Sequence, residues 1–144
     1  MYPLALLGPL DALGTNVQYV VLALVLVNAG TRARAHGRHA RQADEDGPEA
    51  VERDTLHEAT NVLLVLSSLY WVTVAYHGGV VMSVLVVGLV VTDFFEFEAR
   101  KVEARRDEPL DLPKGALTAW GLVLLYAAYQ SLFFLVEGLW NAVV

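Results

Sequence analysis

Four apolar blocks alternate with charge-rich stretches along the chain, and their spacing predicts an all-α integral membrane protein with helices spanning at 13–31, 58–77, 79–97 and 115–137. Only His77-Gly78-Gly79 separates the second block from the third, and a connection that short forces an antiparallel helical hairpin. Between the first two blocks, over 32–57, Arg32, Arg34, Arg38, Arg41 and Arg53 are interleaved with Asp44, Glu45, Asp46, Glu49, Glu52 and Asp54. Gly47-Pro48 interrupts this run, which predicts a solvated loop with a turn of helix on each side. The other charged loop, 98–114, opens with an amphipathic helical tail that Pro109 stops, and Asp111 with Pro113 supplies the start of the fourth block. Ahead of the first block, Pro3, Pro9 and Asp11 predict a short apolar arm in the interface. With no basic region before it, 1–13 lacks the pattern of a cleavable signal.

The third block carries the most informative stretch. Residues 79–92 are nearly uncharged but, at about 1.5 Å rise per residue, too short to cross a hydrocarbon core of about 30 Å. The helix therefore has to continue through Asp93 and Glu96, which brings two carboxylates to the lipid boundary, where such groups demand a partner. They share a face at i, i+3, Glu98 points elsewhere, and no base lies within one turn on the face of Asp93. Two readings follow. In one, Glu96 pairs with Arg100 at i, i+4, the phenylalanines Phe94, Phe95 and Phe97 anchor the lipid edge, and the charges mark the exit from the membrane. In the other, Asp93, Glu96 and Arg100, with His57 and Glu58 at the same level of the second span, form a docking site whose counter-charge comes from another subunit.

Composition supports the membrane assignment, since 56% hydrophobic residues exceed what a soluble domain of 144 residues needs. The absence of cysteine excludes disulfides, thiolate catalysis and cysteine-held metal clusters. Sixteen acids against ten bases, eight of them Arg, fit a chain kept hydrated in a high-salt cytoplasm. Those ten bases divide equally between the two loops that four spans place on one side. The positive-inside rule then puts both termini outside the cell membrane. Arg32 and Arg34 at the end of the first span, and Lys101, Arg105 and Arg106 after the third, form two basic collars suited to anionic lipid head groups. Tyr70, Trp71, Tyr76, Trp120 and Trp140 suit aromatic belts or packing contacts.

Candidate chemistry is sparse. His57 and His77 are twenty residues apart on one helix, about 30 Å, and cannot grip one iron, while His36 and His39 sit in the basic loop. No intrinsic haem is expected. A dimetal site normally takes Glu and Glu-x-x-His from several helices, and here one helix is acidic. Catalytic triads, phosphate loops and dinucleotide glycines are absent, which points away from an enzyme, and bases balanced locally by acids give nucleic-acid binding no support. Small residues at Gly88, Ala127 and Ser131 are expected to let helices approach closely, with Tyr126, Tyr129 and Gln130 as a polar-aromatic patch inside the bundle.

The string VLVVGLVVTDFFEFEARKVEARRDEPLDLPKGA followed by LLYAAYQSLFFLVEGLWNAVV, together with PLALLGPLDAL and NVLLVLSS, resembles a family of small haloarchaeal membrane proteins. The likeness covers most of the chain except the loop around Asp44 and Arg53. The resemblance implies association with a cytochrome b and Rieske-type quinol-oxidising complex, hence an accessory subunit that meets haem and quinone only through its partners. It carries no active-site motif. The expectation is thus a non-catalytic subunit packed against cytochrome b-type helices and anionic lipids. Its rivals are a small proton or cation channel using Asp93 and Glu96, and a self-associating scaffold.

Overall fold

The computed structural model describes residues 13–110 and 114–143, and among these the regular structure is entirely helical. The N-terminal arm with Pro3, Pro9 and Asp11, and the expected start of the fourth block at Asp111 and Pro113, lie outside the described residues. Five helices follow in order: α1 Val17–Asp46, α2 Thr55–Val74, α3 Tyr76–Arg105, α4 Lys114–Leu132 and α5 Phe134–Val143, with a 3-10 turn at Pro48–Ala50 between the first two. Helices α1 to α4 close a ring in which each packs on its two sequence neighbours and α4 packs back on α1.

The solvated loop expected over 32–57 is corrected. Helix α1 runs on through Asp46 because its inward stripe does not stop at the first charge: Val17, Val21, Val25 and Asn28 are followed on the same face by Thr31, Arg32, Ala35 and His39, all buried. Arg, Ala and Gln are good helix formers, and the chain leaves the helix only at Gly47, which takes a positive φ of 89° ahead of Pro48. Helix α2 starts earlier than expected, because Asp54 caps it by accepting the His57 backbone N–H at 3.1 Å. The hairpin break is a single extended residue, Ala75, so His77, Gly78 and Gly79 belong to the first turns of α3 instead of forming the connection. Helix α3 carries its amphipathic tail to Arg105, and Asp107 closes it in a left-handed turn (φ 57°) with Glu108 N–H bonded to Glu103 O.

The expected fourth span, 115–137, is also corrected. Helix α4 ends at Leu132, and Val136–Val143 departs from its axis by 84°. Nineteen residues at about 1.5 Å each still give α4 about 28 Å, close to the thickness of a hydrocarbon core.

The burial pattern departs from that of a water-soluble bundle on the outside, where many large apolar side chains face away from the core. Small and β-branched side chains (Val17, Val21, Val25, Val86, Val123, Ala127) fill the centre around Leu64, Trp71, Met82 and Leu89. Fully polar groups share that interior: Asn28 and Ser68 are 0% exposed, whereas Leu66, Val84, Phe95 and Leu125 on the outside are 58–68% exposed. By length and composition, α3 qualifies as a membrane span, and α4 with Val136–Val143 does so as a bent pair. The belt aromatics separate: Trp71 is core, Trp120 donates its ring N–H to the Val25 carbonyl at 3.0 Å, and Tyr76 and Trp140 are exposed. Gly88 has no neighbour that a Cβ would meet, which corrects its expected role in close packing, and Tyr129 faces outward while Gln130 bonds Tyr126 at 3.0 Å. Ser131 is buried and donates to the Gln18 carbonyl at 2.9 Å.

Candidate functional site: a buried ionic network at one end of the bundle

Three helices bring side chains to Asp93. From α1, Arg32 Nη1 pairs with Asp93 Oδ1, and Arg32 Nη2 donates to Asn28 Oδ1 at 2.7 Å. From α2, Asn61 Nδ2 donates to Asp93 Oδ2 at 2.9 Å, and His57 Nε2 lies 3.1 Å from the same oxygen. Asn28 Nδ2 donates to both Thr60 Oγ1 and Asn61 Oδ1 at 2.8 Å, and Thr31 Oγ1 sits 2.9 Å from His57 Nδ1. A carboxylate only accepts, so His57 must carry a proton on Nε2. The local sequence explains the geometry. Asn28 and Arg32 are one turn apart on α1, and His57 and Asn61 one turn apart on α2, so each helix presents two polar groups on one face at the level of Asp93.

The expectation that another subunit supplies the counter-charge of Asp93 is therefore corrected: Arg32 of the same chain does so. Arg32 is 4% exposed, which also removes it from the basic collar assigned to lipid head groups. Arg34 remains half exposed but is engaged, its Nη1 lying 2.8 Å from Asp54 Oδ2. Glu58 pairs with Arg53 at 3.6 Å, and Lys101 with Glu98 at 3.4 Å. Arg105 and Arg106 stay exposed. The i, i+4 pair between Glu96 and Arg100 does not form, because Arg100 turns inward and donates from Nη1 to His39 Nδ1 at 3.2 Å. Thr31, Thr60 and Asn61 carry no motif of their own; their spacing against Asn28 and His57 is the signal that the sequence offers for them. Among the described residues no group of three or more His, Asp and Glu could hold a metal ion.

Outside the network, Asp54 and His39 are among the groups with displaced pKa values. Burial alone would raise Asp54, yet the His57 N–H, Arg34 and Arg38 outweigh it and hold the carboxyl below its usual range. His39 is pushed down to about 4, first by burial and then by the Arg100 guanidinium. The Arg100 contact agrees, since guanidinium cannot accept and His39 Nδ1 must be its acceptor, which leaves the ring neutral with its proton on Nε2. A neutral folded histidine adds nothing above pH 6.5, where the unfolded ring is neutral too. Below that the unfolded state takes up the proton first, so stability falls as pH drops from about 6.5 to about 4. Over that interval the loss amounts to about 2–3 kcal/mol. Thermal unfolding midpoints of wild type and His39→Gln over this range are expected to diverge, with the variant losing less.

An all-helical bundle tied across three helices by a buried ionic network defines a structural class more than a chemistry. The chain belongs to the DUF7313 family, a domain of unknown function, whose model matches residues 2–144. No curated protein and no solved structure matches it.

Proposed function

We propose that this protein is a non-catalytic, four-span subunit of the cell membrane that serves as a structural accessory to a cytochrome b-type quinol-oxidising complex. The observation that carries the membrane half of this reading is the apolar exterior of the bundle, with Leu66, Val84, Phe95 and Leu125 outward while Asn28, Arg32 and Ser68 are buried. Helix α2, at twenty residues, reaches about 30 Å, and the outward faces of α1 and α2 are apolar (Leu26, Val27, Val62, Leu63, Leu69), which supports spans for these helices as well as for α3 and α4. All ten Lys and Arg fall in or beside the two charged connections, as a one-sided, inward orientation requires. The likeness of the 84–116 string and the C-terminal segment to the haloarchaeal family supports the partner, and haem and quinone would belong to that partner.

A fixed ion pair is a poor proton carrier, so the Arg32–Asp93 contact weighs against a channel built on Asp93 and Glu96. The test is purification of a tagged chain from native membranes in mild detergent, with absorption spectra and mass spectrometry of what accompanies it. A stoichiometric haem b-containing protein is expected, and a chain recovered alone with no haem absorbance would refute the assignment.

A further inference from the structure

Arg100 is a buried cation without a carboxylate. It is 8% exposed, makes its one described hydrogen bond to a neutral histidine, and among the described residues no Asp or Glu comes within ion-pair distance. Burial works against its charge, and Asp93, Glu96 and Glu103 offset this only from longer range. The Nε atom of Arg100 is buried with no partner, and so are Nε of Arg32 and Nε2 of His39. These three side chains line one cavity of about 10 Å³ between α1, α2 and α3.

The carboxylates on the same wall are already committed. Asp93 accepts from Arg32 and Asn61 and sits beside His57 Nε2. Asp54 accepts from Arg34, Arg38 and the His57 N–H, and Glu58 pairs with Arg53. Of the two guanidinium groups on the cavity wall, that of Arg100 is the one with no carboxylate within ion-pair distance among the described residues. The unfilled groups are two guanidinium Nε–H donors, with the imidazole Nε2–H beside them facing the Glu52 carbonyl. A water could accept from both Nε–H groups but brings no charge to offset Arg100. A cavity of this volume holds one water-sized species and excludes phosphate or a lipid head group.

From this arrangement we infer that the cavity between Arg32, His39 and Arg100 is a binding site for a single monoatomic anion, a halide such as chloride. The anion neutralises Arg100 and accepts the orphaned N–H groups, in a position that ties the α1 extension to the α3 tail.

The test uses the full chain in detergent, with thermal unfolding followed in potassium chloride, bromide and gluconate at matched ionic strength. The expected midpoint rises by about 4 °C for each tenfold increase in chloride above its Kd, and likewise in bromide, with no such slope in gluconate. Arg100→Gln is expected to abolish the halide slope, and in gluconate to be no less stable than wild type, because it removes an unneutralised charge. Equal slopes in gluconate and chloride, or a halide slope retained in Arg100→Gln, would overturn the site. Should that variant not fold, crystals of the wild type grown in bromide decide the matter: an anomalous peak between Arg32 and Arg100 supports it, and an ordered water without anomalous signal refutes it.

Discussion

Asp93→Asn is expected to destabilise the bundle by about 3–5 kcal/mol, the cost of leaving a buried guanidinium without its counter-charge. The reason is both charge and hydrogen bonding. Asp93 faces three protein donors, Arg32, Asn61 and His57, and accepts through both carboxylate oxygens. An amide in the same place offers one oxygen and turns an NH₂ toward a donor, so at least one buried group is left unsatisfied while the positive charge of Arg32 stays. Arg32→Leu alone should be comparably harmful, since it strands the carboxylate. Replacing both residues by Leu is expected to recover part of the loss, because no unpaired charge remains, while Asn61, His57 and Asn28 still lose a partner. The double-mutant cycle, read from unfolding in detergent, measures the coupling directly. Near-additive losses would show that Arg32 and Asp93 do not act as a pair.

The all-helical class and the order of the apolar segments were legible because they rest on long runs of one composition, and the polar ends of the bundle were not. In 32–46 the charges that suggest a solvated loop, Arg32 excepted, ride on the outer face of a helix whose inner face continues with Thr31, Arg32, Ala35 and His39. Counting charges along the chain hides that division, while counting them around a 3.6-residue turn exposes it. The same applies to Asp93. Its own helix offers no base within a turn, as the sequence indicates, but Arg32 is sixty-one positions away and reaches it across the bundle. Local spacing cannot supply such a partner. His39 and Arg100, also sixty-one positions apart, show that the two helices keep one register over two turns, so the longer α1 is what carries both contacts. Treating 32–57 as loop thus removed the partner of Asp93 and suggested another subunit in its place.

Gly79→Val is expected to part α2 from α3 and to cost about 3 kcal/mol or more, the upper range for overpacking a close contact. A Cβ at Gly79 would lie 2.2 Å from the Val72 backbone nitrogen and 2.4 Å from its Cα, so the obstruction is main chain and no side-chain rotation relieves it. The two helices are joined only by Ala75, which leaves no slack in the connection to absorb a shift. Any separation there propagates down the hairpin toward His57, Asn61 and Asp93, which depend on the α2 to α3 spacing. Gly88→Ala provides the contrast on the same helix. Nothing lies within 4 Å of a Cβ at that position, so the helical preference of Ala over Gly should stabilise the protein by up to about 1 kcal/mol. Unfolding of the two variants side by side distinguishes a close-packed hairpin from a generic loss of helix flexibility. Equal effects of the two substitutions would mean that the helices do not meet at Gly79 as described.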